Sequence, residues 1–346
     1  MKLTVRTVPL LLFLLIPICI LSAGGQQEFL HQEDHHSEDL PVVFQVVPET
    51  ASRLAVAATT SMVGDIAARV GGDRIDLTVL MAPGQDPHSY EPTPKQLAAV
   101  ETAHLVLVNG FGLEEGLLGT VGNIAGGVIV PVSAGIEESH DSSHQEETSH
   151  EEHHHAGHHH EGTDPHTWMN PRNVILWAEN IEQVLSAADP AGAEYYRANR
   201  DRLIAELEEA DRYIEALAAS VPREKRKLIT DHNVFGYFAG RYGFDVMGAV
   251  IPGFSTSAEP SPREMAALVE LIRAEDVGLI VISSTAGRGT RKMAEALKKE
   301  TGRDVRIVEV MTGTLAPAGE RGDSYTEFIR MIAEAIASGL TGQGTE

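Results

Sequence analysis

Glu91-Pro92-Thr93-Pro94-Lys95-Gln96-Leu97-Ala98-Ala99-Val100 and Glu259-Pro260-Ser261-Pro262-Arg263-Glu264-Met265-Ala266-Ala267-Leu268-Val269 are near copies of one another in opposite halves of the chain. In each, Thr93 or Ser261 offers a hydroxyl to cap a helix. The proline that follows takes the first helical position, where its missing N–H costs nothing. In each, the helix leads to a short apolar run, residues 104–109 and 277–283, that reads as a buried strand. A helix–strand unit occurring twice predicts an α/β protein built of two similar lobes with parallel sheets.

Around the first copy, residues 54–58, 75–81 and 128–132 read as further buried strands, and 63–70 as a helix closed by Gly71-Gly72. Asn170-Pro171 repeats the cap-plus-proline start and opens a helix to about Ala188, broken by Asp189-Pro190. From 193 to 220, Tyr196, Leu203, Leu207, Ala210, Ile214 and Leu217 recur at three-and-four spacing. Such a helix is roughly 40 Å long, enough to bridge two lobes as a stiff strut. Beyond it, 227–230 reads as a strand, and Asp231 as the cap of a helix reaching about Arg241 and stopped at Gly243. At about 150 residues per domain, 346 residues give roughly two. The expected organisation is an N-terminal lobe over 53–192, a bridging helix over 193–220 and a C-terminal lobe over 221–346.

The net charge of −23 excludes nucleic acid as a partner, because phosphate binding needs basic patches, and it favours attraction of cations. Lys2 and Arg6 precede an apolar run at 8–21 followed by Ser22-Ala23-Gly24-Gly25, the pattern of a signal peptide over 1–24. That run is short for a membrane span of about 20 residues. Cys19, the one cysteine, follows Ile18 rather than the small residue a lipid-attached cysteine takes. Cleavage near Ala23 or Gly24 is therefore expected, with lipidation of Cys19 as the alternative. Cleavage there leaves no thiol for a disulfide or a metal ligand. Residues 25–52 read as an acidic tether.

Three loops carry the chemistry: Asp86-Pro87-His88, Asp164-Pro165-His166 and Asp231-His232. Each sets a histidine beside an aspartate just ahead of a helix start. Zinc is held by neutral imidazoles at about 2.0–2.1 Å, and a neighbouring carboxylate orients such a ring. His88, His166 and His232 are thus candidate ligands of one tight metal site. His104, at the start of an apolar strand, reads as structural. Residues 137–163 form a His-rich acidic insert with nine histidines between His140 and His160 and no Lys or Arg. It should be mobile, and its His153, His154, His155, His158, His159 and His160 should bind Zn, Ni or Cu weakly. No catalytic constellation is evident: Ser283-Ser284 lack a Gly-x-Ser-x-Gly frame, and Gly287-Arg288-Gly289 is too little for a phosphate loop.

These motifs, with Glu259-Pro260-Ser261-Pro262 and Gly322-Asp323-Ser324-Tyr325, resemble the metal-binding solute receptors of ABC transporters, cluster A-I, and within it the zinc-specific members. The resemblance runs from about Leu54 to Leu340. It implies two α/β lobes joined by one long helix, with the metal in the cleft on His88, His166 and His232, and a membrane permease as the partner. Manganese-type relatives place a carboxylate at the third position, so His232 favours zinc. Many members supply a fourth ligand, an aspartate, at the position of Gly313, which has no side chain to ligate with. Water, a histidine of the insert, or Glu259 are the alternatives there. The expected function is an exported, extracytoplasmic or periplasmic, monomeric receptor delivering Zn2+ to an ABC importer. The alternatives are a manganese or other divalent-metal receptor of the same family, a zinc-dependent hydrolase, and a metal-buffering adhesin.

Overall fold

The computed structural model describes residues 39–44, 53–137, 163–256 and 258–342. The expected signal peptide, most of the tether and the insert histidines from His140 to His160 lie outside them.

The first lobe comprises β1 (Leu54–Ala58), α1 (Ser61–Gly71), β2 (Ile75–Val79), α2 (Pro94–Thr102), β3 (Leu105–Val108), α3 (Glu115–Ile124) and β4 (Val128–Pro131). Its strands are all parallel, in the order β2-β1-β3-β4. Alternate side chains of a strand point to opposite faces, and here both faces are covered. Leu54, Val56, Leu105 and Leu107 pack on one side with Met62, Val63 and Ile66 of α1. Ala57, Val106 and Val108 pack on the other with Val100 and Val121. That is why these strands are apolar throughout rather than alternating.

Two long helices follow, α4 (Pro171–Ala188) and α5 (Ala193–Ser220). The second lobe comprises β5 (Lys227–Thr230), α6 (Gly236–Tyr242), β6 (Asp245–Ala249), α7 (Pro262–Glu275), β7 (Leu279–Ser283), α8 (Arg288–Thr301), β8 (Arg306–Val310) and α9 (Tyr325–Thr341). Its order, β6-β5-β7-β8, is that of the first sheet strand for strand. The repeated segments occupy equivalent places, as α2 and α7, and both start in a capping box, Thr93 with Gln96 and Ser261 with Glu264.

The α5 helix is more than a strut. Its Leu203, Leu207, Ala210 and Ile214 lie in one continuous core with Val63 of α1, Val174 and Ile181 of α4, Phe238 of α6, and Phe328 and Ile332 of α9. Burying that stripe joins both lobes to a common interior, which favours small tilts over wide opening.

One local expectation fails. Asp231 does not cap a helix; α6 starts at Gly236, with Phe235 at its cap position. Asp231 instead accepts from His232 and Ser283, and His232, Val234 and Phe235 ahead of α6 are buried. Gly243 does end α6, in the left-handed conformation at φ 69° that favours glycine. The elements β6, α3, α8, β8 and α9 were not anticipated.

Candidate metal-binding site

His88 sits on the loop after β2, with its backbone N–H donating to Asp86 Oδ1 at 3.0 Å. The other oxygen of Asp86 accepts from Thr256 Oγ1 in the opposite lobe at 2.6 Å. His166 lies immediately before a single helical turn, Thr167–Met169, that leads into α4. Asp164 Oδ1 accepts both the backbone N–H and the Nδ1–H of His166, at 3.0 and 2.7 Å. The loop is braced from behind by Asn109, whose amide donates to the Pro165 carbonyl at 2.9 Å. Asn109 is itself held through its backbone N–H by the buried carboxyl of Glu114, at 2.6 Å. His232 follows β5, and Asp231 Oδ1 accepts its backbone N–H and Nδ1–H, both at 2.9 Å. Asp231 Oδ2 accepts from the Ser283 backbone N–H at the end of β7, at 2.8 Å.

Because Asp164 and Asp231 each bind an Nδ1–H, they fix the tautomer of His166 and His232 and turn the Nε2 lone pairs inward. The three rings meet edge to face, with centroids 5.1 Å (His88–His166), 5.4 Å (His88–His232) and 5.1 Å (His166–His232) apart. Nε2 of His88 lies 3.1 Å from Nε2 of His166. One nitrogen from each ring falls within 4.8 Å of the others. Two donors on one tetrahedral zinc lie about 3.3 Å apart, so these rings need little movement to share an ion.

The electrostatics suit a cation. Burial, together with the adjoining His166 and His232, pushes the His88 imidazole down to about 3. Burial and His232 likewise hold His166 well below its ordinary value. Both rings are therefore neutral at physiological pH, the form that donates to a metal. His166 and His232 are buried, as are Asp164 and Asp231.

Sequence reading missed the frame around the three rings. The site is also lined by Pro87, Trp168, Val234, Thr256, Ser283, Thr285, Thr312 and Gly313. Trp168 is fully buried and ties the lobes together. Its Nε1–H donates to the Thr312 carbonyl at 2.7 Å, and its own carbonyl accepts from Tyr325 Oη at 2.7 Å. Glu259 is exposed ahead of α7 and does not join the cluster, so it is not placed to be a fourth ligand. Gly313 does line the site, but a Cβ there would lie 2.9 Å from Pro87 Cδ. His104 is structural: its Nδ1 accepts the Ala55 backbone N–H at 2.9 Å. The insert histidines His153, His154, His155, His158, His159 and His160 lie outside the described residues.

The family described as zinc-uptake complex component A, periplasmic, matches residues 56–339. The chain belongs to that family. Among similar proteins, the manganese ABC transporter substrate-binding lipoprotein PsaA of Streptococcus mitis is 32% identical over 295 residues, covering 84% of this chain and 90% of the relative. The manganese-binding lipoprotein MntA of Halalkalibacterium halodurans is 28% identical over 293 residues, covering 85% and 90%. The solved periplasmic zinc-binding protein TroA from Treponema pallidum shares the two-lobed fold, with a TM-score of 0.71 and 26% identity over 84% of this chain and 99% of that one. As a member of the zinc-uptake component A family, the chain is a metal-binding receptor of an ABC transporter, with a permease as its partner, and not an enzyme.

Proposed function

We propose that this receptor is exported and carries Zn2+, held by Nε2 of His88, His166 and His232, to the permease of an ABC importer. The donor set carries this reading: three imidazoles gather, and among the described residues no carboxylate gathers with them. Imidazole suits zinc, whereas manganese prefers oxygen donors. In this reading the protein works as a monomer on the outer side of the cell membrane, and residues 137–163 collect zinc loosely through His153, His154, His155, His158, His159 and His160. A manganese receptor is the rival, favoured by the names of relatives such as PsaA and MntA.

Metal analysis of the protein recovered from cells supplied with both ions separates the two, because a site of this kind binds Zn2+ above Mn2+ in solution whichever it carries, and titration of the full chain with Zn2+ counts the sites. Zinc should fill one tight site and one or more weak ones, and His88→Ala, His166→Ala or His232→Ala should each abolish the tight one. Recovery of Mn2+ rather than Zn2+ on the cell-derived protein would refute the zinc reading. Deleting 140–160 should remove only the weak sites.

A further inference from the structure

Tetrahedral zinc takes four ligands, and this site offers three. The carboxylates nearest the cluster are already engaged. Both oxygens of Asp231 are taken up, by His232 and by Ser283, and those of Asp86 by His88 and Thr256. Gly313 lines the site without a side chain, and a Cβ there would meet the Pro87 ring. Among the described residues no fourth His, Cys, Asp or Glu joins the three rings, which leaves a corner of the ion for an external donor.

Beside the metal site lies a second interlobe cavity of about 180 Å3, far larger than the space of about 10 Å3 among the three rings. Asp86, Thr256 and Thr285 line both spaces, which therefore adjoin. The larger cavity is also lined by Ile251, Ala286 and Thr290. It has room for several water molecules or for a small donor such as an imidazole ring.

We propose that this cavity is a ligand-exchange chamber, through which an external nitrogen or sulfur donor reaches the uncovered corner of the bound ion and starts its release. The incoming lone pair bonds to the metal as the resident external ligand, a water molecule, departs. Each imidazole then leaves in its neutral form as a further external donor takes its place, and no electron is transferred. The route opens without parting the lobes, in keeping with a core that runs through α5 into both. The proposal rests on the three-histidine zinc reading.

The test uses the full chain loaded with Co2+, whose visible absorption reports its ligands, and imidazole as the donor. A large excess of chelator traps released metal while imidazole is varied. The release rate should rise in proportion to imidazole, and Ala286→Leu, which fills the chamber without touching a ligand, should lower that slope several-fold with little change in equilibrium affinity. Ala286→Ser, which leaves the chamber open, should keep the wild-type slope. A rate independent of imidazole overturns the proposal, as does an unchanged slope in a folded, metal-loaded Ala286→Leu protein. Should Ala286→Leu fail to fold, the dependence of the wild-type rate on imidazole decides. Failure of the chain to take up Co2+ or Zn2+ at His88, His166 and His232 would instead defeat the underlying zinc reading, which equilibrium titration detects separately.

Discussion

The indole N–H of Trp168 donates to the main-chain carbonyl of Thr312 at 2.7 Å, joining the His166 loop of one lobe to the Gly313 loop of the other. Both groups are buried, so the bond is made at a place where an unpaired partner would be costly. Trp168→Phe keeps a ring in place but leaves the Thr312 carbonyl without its donor. A loss of about 1–3 kcal/mol in stability is expected, the desolvation cost of one orphaned buried group. Metal release should also quicken, because the two loops are then less firmly held. Urea unfolding with and without Zn2+, alongside a chelator-trap assay, checks both effects.

Asp164 and Asp231 act on the metal through the rings that they orient. Asp164→Asn and Asp231→Asn should each weaken binding at the tight zinc site by roughly 10–100-fold while leaving its occupancy at one ion, as expected of residues that position ligands. Competition titration measures the affinity. A change in Asp231 should also disturb the end of β7, because its second oxygen holds the Ser283 backbone.

Gly313→Ala places a methyl group against Pro87. Pro87 precedes His88 on the same loop, so relief of the clash moves a ligand. A cost of about 1–3 kcal/mol is expected, typical of overpacking, together with weaker zinc binding. Thermal melts of the metal-free protein and zinc competition test the two parts separately.

Asp211, buried on α5, accepts from Arg172 Nε at 2.7 Å, from Arg241 at 3.0 and 2.8 Å and from Tyr242 Oη at 3.0 Å. It thereby pins the start of α4 and the end of α6 to the central helix. Burial pushes its carboxyl up, but Arg241, Arg172 and Tyr242 outweigh this and hold it below its ordinary 3.8. A depressed carboxylate contributes stability that is in place above pH about 3.8 and is lost as pH falls through the lower folded value. Asp211→Ala should cost about 3 kcal/mol at neutral pH, the low end for breaking a buried pair, since Arg172 still reaches solvent. The difference from wild type should shrink in acid below pH about 3.8, which urea melts across pH will reveal.

Much of the fold was legible because it is written in local pattern. The strand Leu54–Ala58 and the helix Ala193–Ser220 stand where their periodicity places them, and the two capping boxes mark equivalent helices in the two lobes. Strand β8 was not legible, because Arg306 and Glu309 interrupt its apolar run and its pairing with β7 is what defines it. Helix α9 was readable in principle: Phe328, Ile329, Ile332 and Ile336 keep helical spacing. Asp231 was read both as a helix cap and as a partner of the His232 ring, because an aspartate ahead of a helix looks the same in either role, and the structure keeps only the second. The choice is made by Ser283, a strand away in the fold.

Sequence by itself determined the two-lobed α/β plan and the residue types available to a metal, since periodicity, caps and turn chemistry depend on neighbours a few positions apart. Tertiary structure alone decided that His88 and His166, 78 positions apart, bring their Nε2 atoms to 3.1 Å, and that Pro87 closes the space beside Gly313. Those facts depend on how two sheets and α5 pack into one interior, and packing is set by the whole chain at once.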